Sequence, residues 1–100
     1  MNPEKPFNKL SPSEAELLAL LAEECGEVIQ IVGKILRHGY ESCNPLQPQD
    51  GQNFQLLEKE LGHIKAAVSL LEDSGAVRSY YADLQCANKL KSVKQWLHHQ

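Results

Sequence analysis

Glu23, Glu24 and Glu27 lie inside one apolar run, LLALLAEECGEVIQIVGKIL, while Glu60 and His63 lie inside another, LLEKELGHIKAAVSLL. Glu24 pairs with Glu27, and Glu60 with His63, at spacing i, i+3. On a helix that spacing puts both members of a pair on one face, one turn apart. Carboxylates on a core-facing stripe are costly unless something positive compensates them. A divalent metal ion is one such compensation, and oxygen-rich ligands on facing helices suit Mg²⁺ or Mn²⁺. Such ions act on substrate phosphates and can make a hydroxide-like nucleophile of bound water. The blander alternative places each acid at the edge of its stripe in reach of solvent, with His63 a hydrogen-bonded core histidine.

These pairs need helices to position them. Ser11 is the expected N-cap of a first helix, with Pro12 at the first helical position and Glu14 completing an S-x-x-E capping box. The helix should run to about His38, where Gly39 provides a left-handed stop. Residues 39–52, GYESCNPLQPQDGQ, are rich in turn formers and read as a loop, long for a helical hairpin. Asn53 is the expected N-cap of a second helix running to about Asp73 and ended by Ser74-Gly75. A third helical stretch covers about 78–98, with a break expected near its start and Tyr81, Leu84, Val93 and Leu97 among its buried candidates. Strand-like alternation is missing, so the expected class is all-α: an antiparallel helical bundle, one domain over 1–100 with an arm at 1–10.

With Leu17 at zero on a helical wheel, the apolar arc is filled by Leu20, Leu21, Val28, Ile31, Val32 and Ile35. Glu24 projects to roughly 340°, inside that arc, and Glu27 to about 280°, on its border. Glu23 falls outside it, beside Lys34. On the second helix Leu57, Ile64, Ala67, Val68, Leu70 and Leu71 define the apolar side, with Glu60 in its middle and His63 close by. Packed stripe to stripe in antiparallel sense, the helices would bring Glu24, Glu27, Glu60 and His63 together.

Composition excludes several classes. One hundred residues with a net charge of −3 give no global electrostatic case for nucleic-acid binding. No run is long and apolar enough for a membrane span, and the N-terminus lacks a signal-peptide core, so a cytoplasmic protein is expected. Cys25, Cys43 and Cys86 are odd in number and lack CxxC spacing, which favours free buried or loop thiols over disulfides or structural zinc. So small a domain is marginal alone, so association between chains is a reasonable expectation.

Glu23-Glu24-Cys25-Gly26-Glu27 resembles the EExxE motif of the MazG-like, all-α nucleoside triphosphate pyrophosphohydrolases. Glu60-Leu61-Gly62-His63 resembles their second motif, ExxD. The run EECGEVIQIVGKILRHG, the Asn-Pro of the loop and the Asn53 start are similar to small phage and bacterial members, and the resemblance covers most of residues 14–72. It implies a helical bundle assembled into homodimers or homotetramers, a site completed by a neighbouring chain, and cleavage of nucleoside triphosphates to monophosphate and pyrophosphate. It implies Mg²⁺, with Mn²⁺ often accepted. By position it makes Glu24, Glu27 and Glu60 metal ligands and Glu23 a further ligand or the carboxylate that orients the attacking water. His63 stands where the family carries aspartate. An imidazole there favours Mn²⁺, Co²⁺ or Zn²⁺ over Mg²⁺, and leaves three outcomes open: altered metal preference, weakened catalysis, or a fold kept for binding without activity. Phosphoribosyl-ATP pyrophosphohydrolases share the fold and chemistry and offer a related enzyme reading.

A triphosphate needs cations besides the metal. Lys34 follows Glu27 by two turns on nearly the same side, and Arg37 comes one turn later. Lys89, Lys91 and Lys94 line the last helix, where a solvated face with favourable helix-dipole placement is the simpler reading. Lys34, Arg37, Lys89 and Lys94 are the candidate substrate-binding residues.

Overall fold

A computed structural model describes residues 7–100; of the expected arm over 1–10, residues 1–6 lie outside the described residues. The described chain is all-helical: α1 spans Pro12–His38, α2 Asn53–Asp73 and α3 Ser79–Ser92. Short 3-10 turns occur at Pro48–Asp50 in the loop and at Val93–Trp96 directly after α3.

The start of α1 is the expected capping box. Ser11 Oγ accepts from the Glu14 N–H at 3.1 Å, and the Glu14 carboxylate accepts from the Ser11 N–H at 2.9 Å. The Ser11 backbone bond, then its hydroxyl, holds the Glu14 carboxyl below its ordinary range. At the other end Gly39 takes φ 88°, ψ 170°, and its N–H caps the Ile35 carbonyl at 2.7 Å. A side chain would strain that backbone, so glycine is the residue that lets the chain leave α1 in this direction.

The long loop is sewn back onto the start of α2. The Asn53 N–H donates to the Ser42 carbonyl at 2.8 Å and the Phe54 N–H to the Tyr40 carbonyl at 3.0 Å. Two donors at a helix start, normally left without intrahelical partners, are thereby satisfied by the loop itself. The N-cap is Gln52, not Asn53 as expected, and the Gln55 side chain accepts from the Gln52 N–H at 2.9 Å. Asn53 is instead the first helical residue; its buried amide donates to the Gly39 carbonyl at 3.1 Å, tying the end of α1 to the beginning of α2.

α1 and α2 pack along their apolar stripes. Gly39 meets Asn53 at the loop end, Glu24 meets His63 midway, and Leu17 and Leu71 line one groove at the far end, so the two helices run antiparallel. Ile31, Ala67 and Leu71 form the buried core of this hairpin. Val32 and Leu70, placed on the apolar arcs by sequence, are 41% and 46% exposed, because a two-helix contact covers only the centre of each stripe.

The third helix departs from expectation in two ways. It runs unbroken from Ser79, and the change of winding comes at its end, where Val93–Trp96 tightens to 3-10. Its burial candidates are also not buried: Tyr81, Leu84 and Leu97 are 47%, 52% and 46% exposed, and Val93 is half-buried. α3 packs mainly on its own terminal turn rather than against the hairpin, so its apolar side finds little cover among the described residues. The radius of gyration, 17.8 Å, reflects this; a compact domain of this length would have about 13 Å.

Candidate metal centre

The acids predicted on facing stripes do converge. Glu24, Glu27, Glu60 and His63 each offer one ligand atom, and these atoms all lie within 4.8 Å of one another. Ligands on opposite sides of one ion, with bonds of 2.0–2.5 Å, stand about 4–5 Å apart. The cluster therefore has the dimensions a single ion can bridge without large movement.

Burial follows the helical wheel. Glu60, central on its stripe, is 7% exposed. Glu24 and Glu27 are half-buried, and His63 at the rim is exposed. His63 Nδ1 approaches two acids, Glu24 Oε2 at 3.2 Å and Glu60 Oε2 at 3.3 Å. A ring nitrogen carries at most one hydrogen, and its direction favours Glu24. Glu60 Oε2 is left buried with no hydrogen-bond partner. An orphaned carboxylate oxygen at such a depth costs free energy that a cation or proton would relieve.

Glu27 carries the electrostatic trace of the same shortage. Its carboxyl titrates above the ordinary value of 4.5, first because a proton there hydrogen-bonds to Glu60, then through desolvation and through Glu60's negative charge. With both ionised neither can donate, so the proton does for this pair what a bound cation would do. The charges of His63 and Lys59 act weakly in the opposite sense. The donor set fits a divalent ion: three carboxylates and an imidazole, with one carboxylate oxygen, Glu60 Oε2, deeply buried and without a hydrogen-bond partner.

The other sequence-derived candidates separate into two groups. Lys34 and Arg37 line a cleft of about 210 Å³ at the loop end of the hairpin, together with Ser42, Cys43, Asn44 and Asn53. Leu56, one turn before Glu60 on α2, lines it too, so the cleft starts about one helical turn from the acidic cluster on its loop side. The Arg37 guanidinium lies back along α1, 3.7 Å from where a Cβ on Gly33 would stand. Glu23 is exposed on α1, next in sequence to Glu24 but outside the cluster. Lys89 on α3 and Lys94 in its terminal turn are exposed, and the packing of one chain does not carry them to the acids.

Two contributions escaped sequence reasoning. Lys59 lies close enough to Glu27 to act on its titration; its position one turn before His63 was the available signal. Cys43 and Asn44 wall the cleft through the shape of the loop, where the Asn44 side chain accepts from the Leu46 N–H at 2.9 Å. Only the Asn-Pro pair hinted at that turn. The cysteines are free; Cys43 lies in the loop, whereas Cys25 on α1 and Cys86 on α3 are exposed helical residues rather than the buried or loop thiols expected. Among the described residues no helix is long and apolar enough to cross a membrane. Compared with known protein families, with curated proteins and with solved structures, the chain matches none.

Proposed function

We propose that this chain is a metal-dependent nucleoside triphosphate pyrophosphohydrolase of the MazG-like type, converting a (d)NTP to its monophosphate and pyrophosphate. The observation that carries the reading is the convergence of Glu24, Glu27, Glu60 and His63 around the unpartnered Glu60 Oε2. The EExxE-like and ExxD-like pattern of the same residues supplies the reaction class. A bound Mg²⁺ or Mn²⁺ would neutralise phosphate charge and acidify a water.

Around such an ion each residue has a distinct task. Glu24, Glu27, Glu60 and His63 hold it, with Glu60 anchored by burial and His63 at the open rim. Glu23, in solvent beside Glu24, orients the attacking water. Lys34 and Arg37, in the adjoining cleft, receive phosphate oxygens. Lys89 and Lys94 reach the nucleotide only from a neighbouring chain, which fits a homodimer or homotetramer. The exposed Tyr81, Leu84, Leu90 and Leu97 of the α3 segment support association between chains. Exposed free thiols suit a reducing, cytoplasmic setting.

The imidazole at position 63 favours a second reading, a helical-bundle protein that binds or oligomerises without turnover. The deciding experiment incubates the chain with a panel of dNTPs, NTPs and phosphoribosyl-ATP in Mg²⁺ or Mn²⁺ and scores monophosphate and pyrophosphate. Equimolar products that disappear in Glu24→Gln support the enzyme. No turnover with either ion leaves the binding reading, and turnover unchanged in Glu24→Gln removes the cluster from the chemistry.

A further inference from the structure

We infer that His63 is a direct metal ligand through Nδ1 and that it tilts the site toward later first-row ions such as Co²⁺ and Mn²⁺, away from Mg²⁺. This rests on the metal reading above and adds to it the identity of the donor atom and the selectivity that follows. Nδ1, rather than Nε2, is the nitrogen turned to the acids, 3.2 Å from Glu24 Oε2 and 3.3 Å from Glu60 Oε2. It stands beside Glu60 Oε2, the one buried carboxylate oxygen among the described residues that lacks a hydrogen-bond partner. The 3.3 Å between Glu60 Oε2 and Nδ1 lets one ion bond both atoms at ordinary bond lengths.

The chemistry of the ligand exchange is balanced. Without metal, Nδ1–H donates to Glu24 Oε2. On binding, the hydrogen moves to Nε2 by exchange with water, so the imidazole stays neutral and its Nδ1 lone pair is freed. One carboxylate fewer than an all-acid site weakens the pull on Mg²⁺, a hard ion that gains little from nitrogen. Co²⁺ gains more, in line with its place in the divalent stability series. His63 is 45% exposed at its side chain, so substitution there leaves the packing between α1 and α2 in place.

The test uses the metal ions alone, on the whole chain. Mn²⁺ is bound at one equivalent and examined by electron spin echo spectroscopy for coupling to a ligating nitrogen; Co²⁺ and Mg²⁺ affinities are measured in parallel by calorimetry. In the wild-type chain a directly bound nitrogen is expected, and it should vanish in both His63→Asp and His63→Ala. The ratio of Co²⁺ to Mg²⁺ affinity should fall about tenfold in His63→Asp. Mn²⁺ bound without nitrogen coupling, or with coupling that survives both substitutions because it comes from His98 or His99, overturns the ligand assignment and leaves the metal site standing. An unchanged ratio in His63→Asp overturns the selectivity. Failure of every ion to bind overturns both the inference and the reading beneath it.

Discussion

His63 Nδ1 and Glu24 Oε2 meet at 3.2 Å across the α1–α2 contact, though 39 residues separate them in the chain. This contact joins the two motifs into one site. It is made possible by the loop, whose carbonyls receive the first N–H groups of α2, and by Asn53, whose amide holds the Gly39 carbonyl. The register so fixed sets Glu60 opposite Glu24 and Glu27 and leaves its Oε2 without a partner.

Glu60 should show a trade of stability against function. Its buried oxygen has no hydrogen-bond partner, and Glu27 and Glu24 are like-charged neighbours. Glu60→Gln removes the charge and lets an amide donate to Glu27. In metal-free buffer the variant is expected to be more stable than wild type by about 1–2 kcal/mol, with stabilisation by Mg²⁺ or Mn²⁺ lost. Urea unfolding with and without metal checks both halves.

Glu27 gives the pH dependence its sign. Its folded carboxyl titrates above 4.5, chiefly through the bond to Glu60, so just above 4.5 the folded chain holds a proton that the unfolded chain has released. Glu27's contribution to the stability of the metal-free protein is therefore fully present below 4.5 and is lost as pH rises through its raised value. Glu14 works in the opposite sense, but its window lies below 4.5, so the two separate. Thermal melts upward from pH 4.5 should show the decline in wild type, and Glu27→Gln should remove that component. Metal affinity should rise over the same window, since the ion displaces the shared proton.

α3 should mark the assembly interface. Leu84 and Leu90 are 52% and 64% exposed on a helix that scarcely touches the hairpin. Light scattering on the eluting protein is expected to give two or four chain masses, and Leu84→Asp should shift it toward one. A wild-type monomer at micromolar concentration would remove Lys89 and Lys94 from any shared site.

Much of this was legible in the residues. The capping box at Ser11 and Glu14, the Gly39 stop and the 3.6-residue period place the hairpin and hence the cluster. Wheel position puts Glu60 in the middle of its apolar side, and among the described residues it is the one buried acid. Local signals failed where tertiary contacts decide. Asn53 has the side chain of an N-cap, but the Gly39 carbonyl across the hairpin claims its amide. Tyr81, Leu84 and Leu97 have core-like spacing, which specifies an apolar side but not which molecule covers it. The cleft walls at Cys43 and Asn44 depend on the path of an irregular loop, which no periodicity encodes.

The central claim is that Glu24, Glu27, Glu60 and His63 form a metal centre, and calorimetric titration of a divalent ion into the metal-free chain tests it most directly. The account predicts one Mn²⁺ equivalent per chain, with proton release near the raised value of Glu27, and binding weakened at least about tenfold in Glu60→Gln. Saturable binding that is equally tight in Glu60→Gln, or no binding in the wild-type chain, would contradict it.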